Sequence, residues 1–553
     1  MSDLKDFIIK DGVLKKYVGQ GGDIVTPEGL VSIGNYAFWN CTNLTSVVIS
    51  NGVKSIGSSS FENCSSLNSV AIPEGVISIG DSAFSGCSNL TNVTIPDSVT
   101  FIGASIISSA FAGCQQLKFN EKEGLEYLGN DNNPYVVLVR ALSRDIESVT
   151  IDDNCKLIIK GALSGCKNLT KVVIPFGVRG IGCFAFGHCD SLVTVEIPQS
   201  VTCIGDSAFQ WCEKLTNITL PVGLTTIGEA AFIGCSRLEE VIIPTGATKI
   251  GNSAFKHCTG LRKVVIPSTI NSIGDSAFDG CDSLVCNEKE GLDYLGNEHN
   301  LYLYLDRVVS KSIATVTINS ECKFIGASVF SDCNDLTSVV IPNGVISLGS
   351  WAFSKCKNLK SLKIPASLKD IGNWPFGDVE ELLIPESVIS VIAKKEAFFG
   401  DNGGARYISI LREGKEVLRT VGVFRRMYWM QSFDYKEEFL APYRECDILN
   451  YDTLLAVGNF EGFKIAEAWR MRAMILRLQQ VEYPISDELK EIFIEFLKEK
   501  ISKLIKIAEE EQNAAFIKVA IDYGCVTEEN KKKVLNALKK SKVDEIKELV
   551  NLL

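Results

Sequence analysis

Histidine is close to absent: His188, His257 and His299 are the three in a chain of 553 residues. That scarcity removes the side chain most often used for proton transfer near neutral pH. No P-loop, dinucleotide fingerprint, nucleophile elbow, zincin helix or kinase signature occurs either. Carboxylates are plentiful but scattered through loops. Catalysis is therefore the reading with least support, and neither a cofactor nor a metal is expected. Long apolar runs are missing too, and nothing approaches the ~18 residues that a membrane-spanning helix needs. The opening "MSDLKDFIIKDGVLKKY" lacks the apolar h-region and small-residue cleavage site of a secretory signal. A cytoplasmic address with reduced thiols is the expectation. Positive charge is in deficit: 56 Lys and Arg face 67 Asp and Glu, for a net charge of −11. Residues 401–553 carry 25 against 26, or −1, which leaves −10 for residues 1–400. An acidic surface repels phosphate backbones and argues against nucleic acid as a partner. The basic runs "FRRMYW" and "NKKKVLNALKK" read as solvated faces and helix ends.

Apolar residues are not in short supply. They make up 46% of the chain, with a mean hydropathy of +0.14, ample for a large core and unlike a disordered chain. Cysteine is in surplus at nineteen, and its spacing is a ruler. Cys41, Cys64 and Cys87 stand 23 residues apart, as do Cys166, Cys189, Cys212, Cys235, Cys258 and Cys281, and then Cys333 and Cys356. Cys114 follows Cys87 by 27, because "ASIISS" lengthens that copy. A fixed period of this size is the signature of a stacked solenoid. Around each mark the pattern is I-G-x-x-A-F-x-x-C-x-x-L-x-x-V-x-I-P, as in "IGDSAFSGCSNLTNVTIP" (79–96). The L-x-x-V-x-I segment has the alternation and β-branched residues of a strand, ended by Pro. The Gly of I-G suits a bend. The A-F pair supplies a small and a large core plug that only neighbouring repeats can bury.

This pattern resembles the BspA-like subclass of leucine-rich repeat proteins over roughly residues 28–390. The resemblance implies a solenoid with a parallel β-sheet face, and a binding or adhesive role without a catalytic site. About sixteen turns would span roughly 75 Å at ~4.8 Å per turn. Register cysteines on stacked strands sit too far apart to pair without distortion, so a buried thiol ladder bonded to neighbouring carbonyls is expected. Zinc is the sharper alternative, prompted by "HC" at 188–189 and 257–258. Those pairs lie three repeats apart, ~15 Å along the stack, beyond the reach of one ion.

Two eleven-residue stretches, "NEKEGLEYLGN" (120–130) and "NEKEGLDYLGN" (287–297), repeat almost unchanged, and each falls in a 52-residue gap of the ruler. That gap is two repeats plus six residues, so the solenoid continues through an enlarged turn. "IESVTI" (146–151) and "IATVTI" (313–318) fall on normal strand positions. The spacing predicts hairpin insertions near 120–142 and 287–309, an element that BspA-like arrays also carry. Tyr127, Tyr135, Tyr294 and Tyr302 would be their aromatic features. They are either parts of the array or projections that grip a partner. A second candidate is the outward position between V and I-P: Val48, Ala71, Thr94, Val173, Glu196, Thr219, Ile242, Val265, Val340 and Lys363. This column is apolar for a solvent-facing row. It reflects either strand propensity alone or a shallow docking face.

The domain reading is a hairpin cap over residues 1–27, a solenoid over 28–399, a cap and linker with a β-hairpin over 400–444, and an α-helical domain over 445–553. "GDNGGA" (400–405) marks the boundary. "RYISILREGKEVLRTVGV" reads as two strands around "REGK". Ser486 precedes a run of helical period, Gly524 is a C-cap candidate, Thr527 opens a helix, and Ser541 with Asp544 fits a capping box. The leading functional expectation is a non-catalytic scaffold that binds a protein or extended ligand. A surface adhesin exported by an unrecognised route is the alternative. Oligomeric state is not readable.

Overall fold

A computed structural model of the chain describes residues 4–103, 110–377, 379–388, 391, 407–412, 415–421, 459–460, 463–464, 471, 474–475, 478, 487–510 and 512–553. The boundary expected at Gly400–Ala405, the Ser486 cap and most of 422–486 lie outside the described residues. The chain forms two compact units, Met1–Asn287 with Leu295–Leu301, and Glu288–Tyr294 with Tyr302–Leu553.

In the first unit each repeat is one coil of a parallel β-solenoid. The V of L-x-x-V-x-I and the residue on each side of it form a three-residue strand in most coils, as in Ser69–Ala71, and successive strands pair in parallel one repeat on. Val47 faces Val70, Val70 faces Val93, and Val172 faces Val195. The sequence pattern indicated one sheet, but a second ladder runs through the I-G corner. Ile33, Ile56 and Ile79 pair in succession there, as do Ile181, Ile204, Ile227 and Ile250. The glycines of this corner are needed for a close approach rather than a bend. A Cβ on Gly228 would lie 2.5 Å from the Gly205 carbonyl carbon of the preceding coil.

The core between the two ladders is built from the A-F pair. Phe186, Phe209, Phe232, Phe255 and Phe278 stack face to face, with ring centroids 5.0–5.6 Å apart. Full burial of one phenyl ring contributes about 1.5–3 kcal/mol, so the column is a major share of what holds the coils together. At the N-terminal end Phe7–Lys10 and Val13–Tyr17 form an antiparallel hairpin, and Val13–Leu14 pairs in parallel with Ser32–Ile33. Tyr17 packs on Phe38, and Phe7 packs on Tyr17 in turn, so the aromatic column extends into the hairpin.

The first enlarged turn is a three-stranded antiparallel meander rather than a two-stranded hairpin. Asn120–Lys122, Leu125–Leu128 and Val137–Ala141 pair in that order, and Val137–Leu138 rejoins the second ladder beside Leu157–Ile158. The strands Asn287–Lys289, Leu292–Asn297 and Asn300–Val308 repeat the sequence order in the second copy.

The second unit resumes the parallel coils: Val316 faces Val339, and Ile325 faces Leu348. Glu381–Pro385 pairs in parallel with Tyr407–Leu411, which turns back antiparallel onto Lys415–Val421. The "REGK" hairpin thus continues the sheet of the coils. A short antiparallel pair, Asn459–Phe460 with Phe463–Lys464, interrupts the region read as helical from 445. Helices follow: α1 (Asp487–Glu510), α2 (Ala515–Asp522), α3 (Glu528–Lys540) and α4 (Asp544–Glu548). Helix α2 ends as the sequence indicated. Gly524 has φ +69, its N–H donates to Ile521, and the Cys525 N–H donates to Ala520. Ser541 does not cap α4. It already ends α3, the N-cap is Val543, and Ser541 Oγ accepts the Val543 N–H instead. No described helix is long and apolar enough to cross a membrane.

Candidate interaction surfaces

The register cysteines point inward. Cys212 Sγ donates to the Phe186 carbonyl at 3.2 Å, and Cys64, Cys87, Cys189, Cys235 and Cys258 make the same bond to the coil before. Burial pushes the Cys235 thiol up to about 12, so these groups are neutral and unreactive at ordinary pH. All eighteen described cysteines are free. The "HC" pairs have a backbone explanation. The residue before each register cysteine is left-handed: Asn63 (φ 61), His188 (φ 59), Trp211 (φ 56), His257 (φ 60) and Asp332 (φ 63), with glycine in several copies. Histidine is one of several residues that fill this place, and no group of three or more potential metal ligands occurs among the described residues.

Tyr127 and Tyr294 are not projections. Both are 1% exposed, and each hydroxyl accepts a backbone N–H, from Asp152 at 3.2 Å and from Asn319 at 3.1 Å. They cannot contact a partner, because the meander folds them into the core and closes the next coil's turn over them. Tyr135 and Tyr302 are half-buried and pack edge-on against them at 5.3 and 5.4 Å. A lysine covers each outer ring: Lys122 over Tyr135 at 5.2 Å and Lys289 over Tyr302 at 4.9 Å. Lys122 also pairs with the buried carboxylate of Asp152 at 2.5 Å. Burial alone would raise the Asp152 carboxyl, but the Lys122 ammonium and the Asn154 N–H hold it below its ordinary value.

The outward column does face away from the core. Val48, Ala71, Val173, Glu196, Thr219, Ile242, Val340 and Lys363 are exposed, and Thr94 and Val265 are half-buried. Strand pairing places Val48, Ala71 and Thr94 side by side, then Val173, Glu196 and Thr219, and then Ile242 with Val265. In the second unit Val340 stands beside Thr317, and Lys363 beside Leu383. The structure adds Val25, paired with Val48 and 62% exposed, which sequence reasoning missed because its strand precedes the first cysteine mark. The apolar character is interrupted: Val25, Val48 and Ala71 adjoin, while Glu196 and Thr219 separate Val173 from Ile242. The flanking row is polar and bonded along the stack. Asp23 accepts from Thr45 and Ser46 at 2.6 and 2.7 Å, and Lys263 meets Glu240 at 2.5 Å.

The model of the BspA type leucine rich repeat region matches residues 17–132, 156–285 and 309–409, in six copies. The chain belongs to this family. The match covers coils of both units and leaves out residues 133–155, 286–308 and 410–553. Among curated proteins none matches. A leucine-rich repeat protein of Bacteroides ovatus is 24% identical, over 73% of this chain and 97% of that one, with a TM-score of 0.31. A leucine-rich cell surface protein of Faecalibacterium prausnitzii is also 24% identical, over 71% and 90%, with a TM-score of 0.22. The pneumococcal vaccine antigen PcpA is 15% identical, over 70% and 79%, with a TM-score of 0.21. Likenesses this distant carry no argument about function.

Proposed function

We propose that the chain is a non-catalytic interaction scaffold that takes a protein or extended ligand against the outward strand column. The observation that supports it most is the in-register exposure of Val25, Val48 and Ala71 on adjacent strands, framed by the hydrogen-bonded polar row. Exposed apolar surface rimmed by polar groups is the usual form of a recognition site. Repeat stacking supplies it without loops, because each coil places the same strand position on the same face. The test is capture of partners from a lysate of the source cell by the full chain and by variants carrying Val48→Asp or Ile242→Lys. Selective loss of a captured protein with melting unchanged supports the column as the docking face. Capture that is indifferent to every column variant overturns it.

Family membership supports the adhesin reading equally, and it uses the same column. Protease shaving of intact cells separates the two. Released peptides of this chain place it outside the cell, and their absence while the chain is present in lysate favours the cytoplasmic scaffold. The free cysteines do not bear on this choice, since thiols bonded one by one to carbonyls of neighbouring coils are poorly placed to form disulfides in any compartment.

A further inference from the structure

Several backbone and thiol hydrogen bonds recur between neighbouring coils at the cysteine arc, and one of them is missing at the first enlarged turn. In most coils the residue before the register cysteine donates its N–H to the following coil: Asn63 to Ser85 at 2.7 Å, Gly86 to Ala112 at 2.7 Å, Gly165 to Gly187 at 2.8 Å and Trp211 to Ile233 at 2.7 Å. Gly113 holds the same place, with φ +76, and its N–H meets no acceptor among the described residues. Further along, the Ser164 carbonyl, the counterpart of the Ser85 carbonyl, receives no donor among the described residues. The cause is the enlarged turn. Its chain forms the meander Asn120–Ala141 and supplies no A-F-x-x-C arc between Cys114 and the arc Gly161–Cys166.

A cleft of about 740 Å³ opens beside Gly113 and reaches Gly161, the first residue of the arc that holds Ser164, lined among others by Cys114, Phe119, Arg140 and Arg144. Its apolar lining includes Phe119, Val139 and Ile159, and the Arg140 guanidinium lies over the Phe119 ring at 5.1 Å. Its charged lining is Arg140, Arg144 and Lys160 against Glu121 and Glu126, three minus two, or +1 on a chain of −11. Arg140 is paired with Glu126. The Arg144 guanidinium has the Cys166 sulfur at 3.9 Å and no carboxylate partner among the described residues.

We propose that this cleft binds an extended peptide segment of a protein partner, which supplies the missing arc. The segment places a carbonyl on the Gly113 N–H and an N–H on the Ser164 carbonyl. It sets an apolar side chain beside Val139 and Ile159 and a carboxylate against Arg144. Backbone pairing to an unpaired edge gives such a site affinity, and the flanking pockets give it specificity. The proposal rests on the interaction reading in requiring a protein partner, but it uses a different surface from the strand column.

The test uses the full chain and a fluorescein-labelled peptide with the sequence of Asp206–Leu215, its cysteine replaced by serine. Fluorescence anisotropy is expected to show saturable binding, weakened about tenfold or more by Arg144→Glu and by Ala in place of the peptide's phenylalanine. Melting of the variant should be unchanged, because Arg144 is exposed. Should Arg144→Glu lower the melting temperature, Arg144→Gln decides with the same readout. Ile242→Lys is expected to leave peptide binding as it was, so failure of the cleft and failure of the column are read separately. No saturation up to about 1 mM, or equal affinity for the parent chain and the Arg144 variant, overturns the proposal.

Discussion

The Tyr127 hydroxyl accepts the backbone N–H of Asp152 at 3.2 Å, tying the first meander to the turn of the next coil. The second copy makes the same bond between Tyr294 and Asn319 at 3.1 Å. Tyr127→Phe strands a buried N–H and is expected to cost about 1–3 kcal/mol. Tyr127→Ala also empties a core site and should cost about 3–5 kcal/mol. Denaturant melts of the two variants measure both steps. A Tyr127→Phe variant as stable as the parent would remove the hydrogen bond from the account.

The two copies differ in their acid response. Asp152 accepts the Asn154 N–H at 2.8 Å, and Asn319 accepts the Glu321 N–H at 2.9 Å, so the geometry is shared and only the first copy can titrate. Burial acts to raise the Asp152 carboxyl, but Lys122 and Asn154 outweigh it and the net shift is downward. A depressed carboxyl contributes stability that is present above the unfolded value, about pH 4, and lost as pH falls through the folded one. Asp152→Asn gives the first copy the chemistry of the second. Its stability should fall less between about pH 4 and pH 2 than that of the parent. Parallel pH profiles would contradict this.

The thiol ladder acts at the other end of the scale. Burial pushes Cys235 up to about 12, and Cys189 and Cys356 likewise. A raised folded value means stability that is complete below the unfolded thiol value, about 8.5, and lost as pH climbs from there toward the folded one. Chemical melts should show stability declining above about pH 8.5, and Cys235→Ala should shallow that slope while lowering stability at pH 7 by about 1 kcal/mol. Thiol labelling of the native chain should be slow at Cys212 and Cys235 and become fast on unfolding.

His188 serves a backbone conformation. At φ 59 an asparagine or glycine fits as well, as Asn63 and Gly165 show in the same place. His188→Asn should change stability by no more than about 0.5 kcal/mol. His188→Val, β-branched where φ is positive, should cost about 1–2 kcal/mol. Added zinc should shift the melting of neither variant relative to the parent.

On the strand column, Ile242 is 57% exposed. Ile242→Lys should leave stability within about 0.5 kcal/mol. If the residue anchors a partner, capture should weaken by about fivefold or more, the mark of a contact worth over 1 kcal/mol. Surface plasmon resonance against a captured partner reads this directly.

How much was legible depended on whether a residue's role repeats. Phe209, Cys212 and Ile218 recur every coil, so their burial followed from period alone. Tyr127 was legible as special but not as buried. Its environment is made by Asp152, 25 residues on, in a coil whose own phase the enlarged turn shifts. The second ladder through Ile204 and Ile227 escaped notice because a strand two residues long leaves too little alternation to read. Val25 was missed because no cysteine marks its coil.

The sequence by itself determined the solenoid, its 23-residue register, the inward thiols and the outward column. Stacking makes local pattern and tertiary position the same information, since each coil contacts chiefly its neighbours. Only the tertiary structure decided that the tyrosines are pillars, that corner glycines are fixed by the backbone of the coil before, and that a missing arc leaves Gly113 and Ser164 without a backbone partner among the described residues. Each of these depends on contacts across one interrupted coil. Where the repeat fails, the period no longer says what stands next to what.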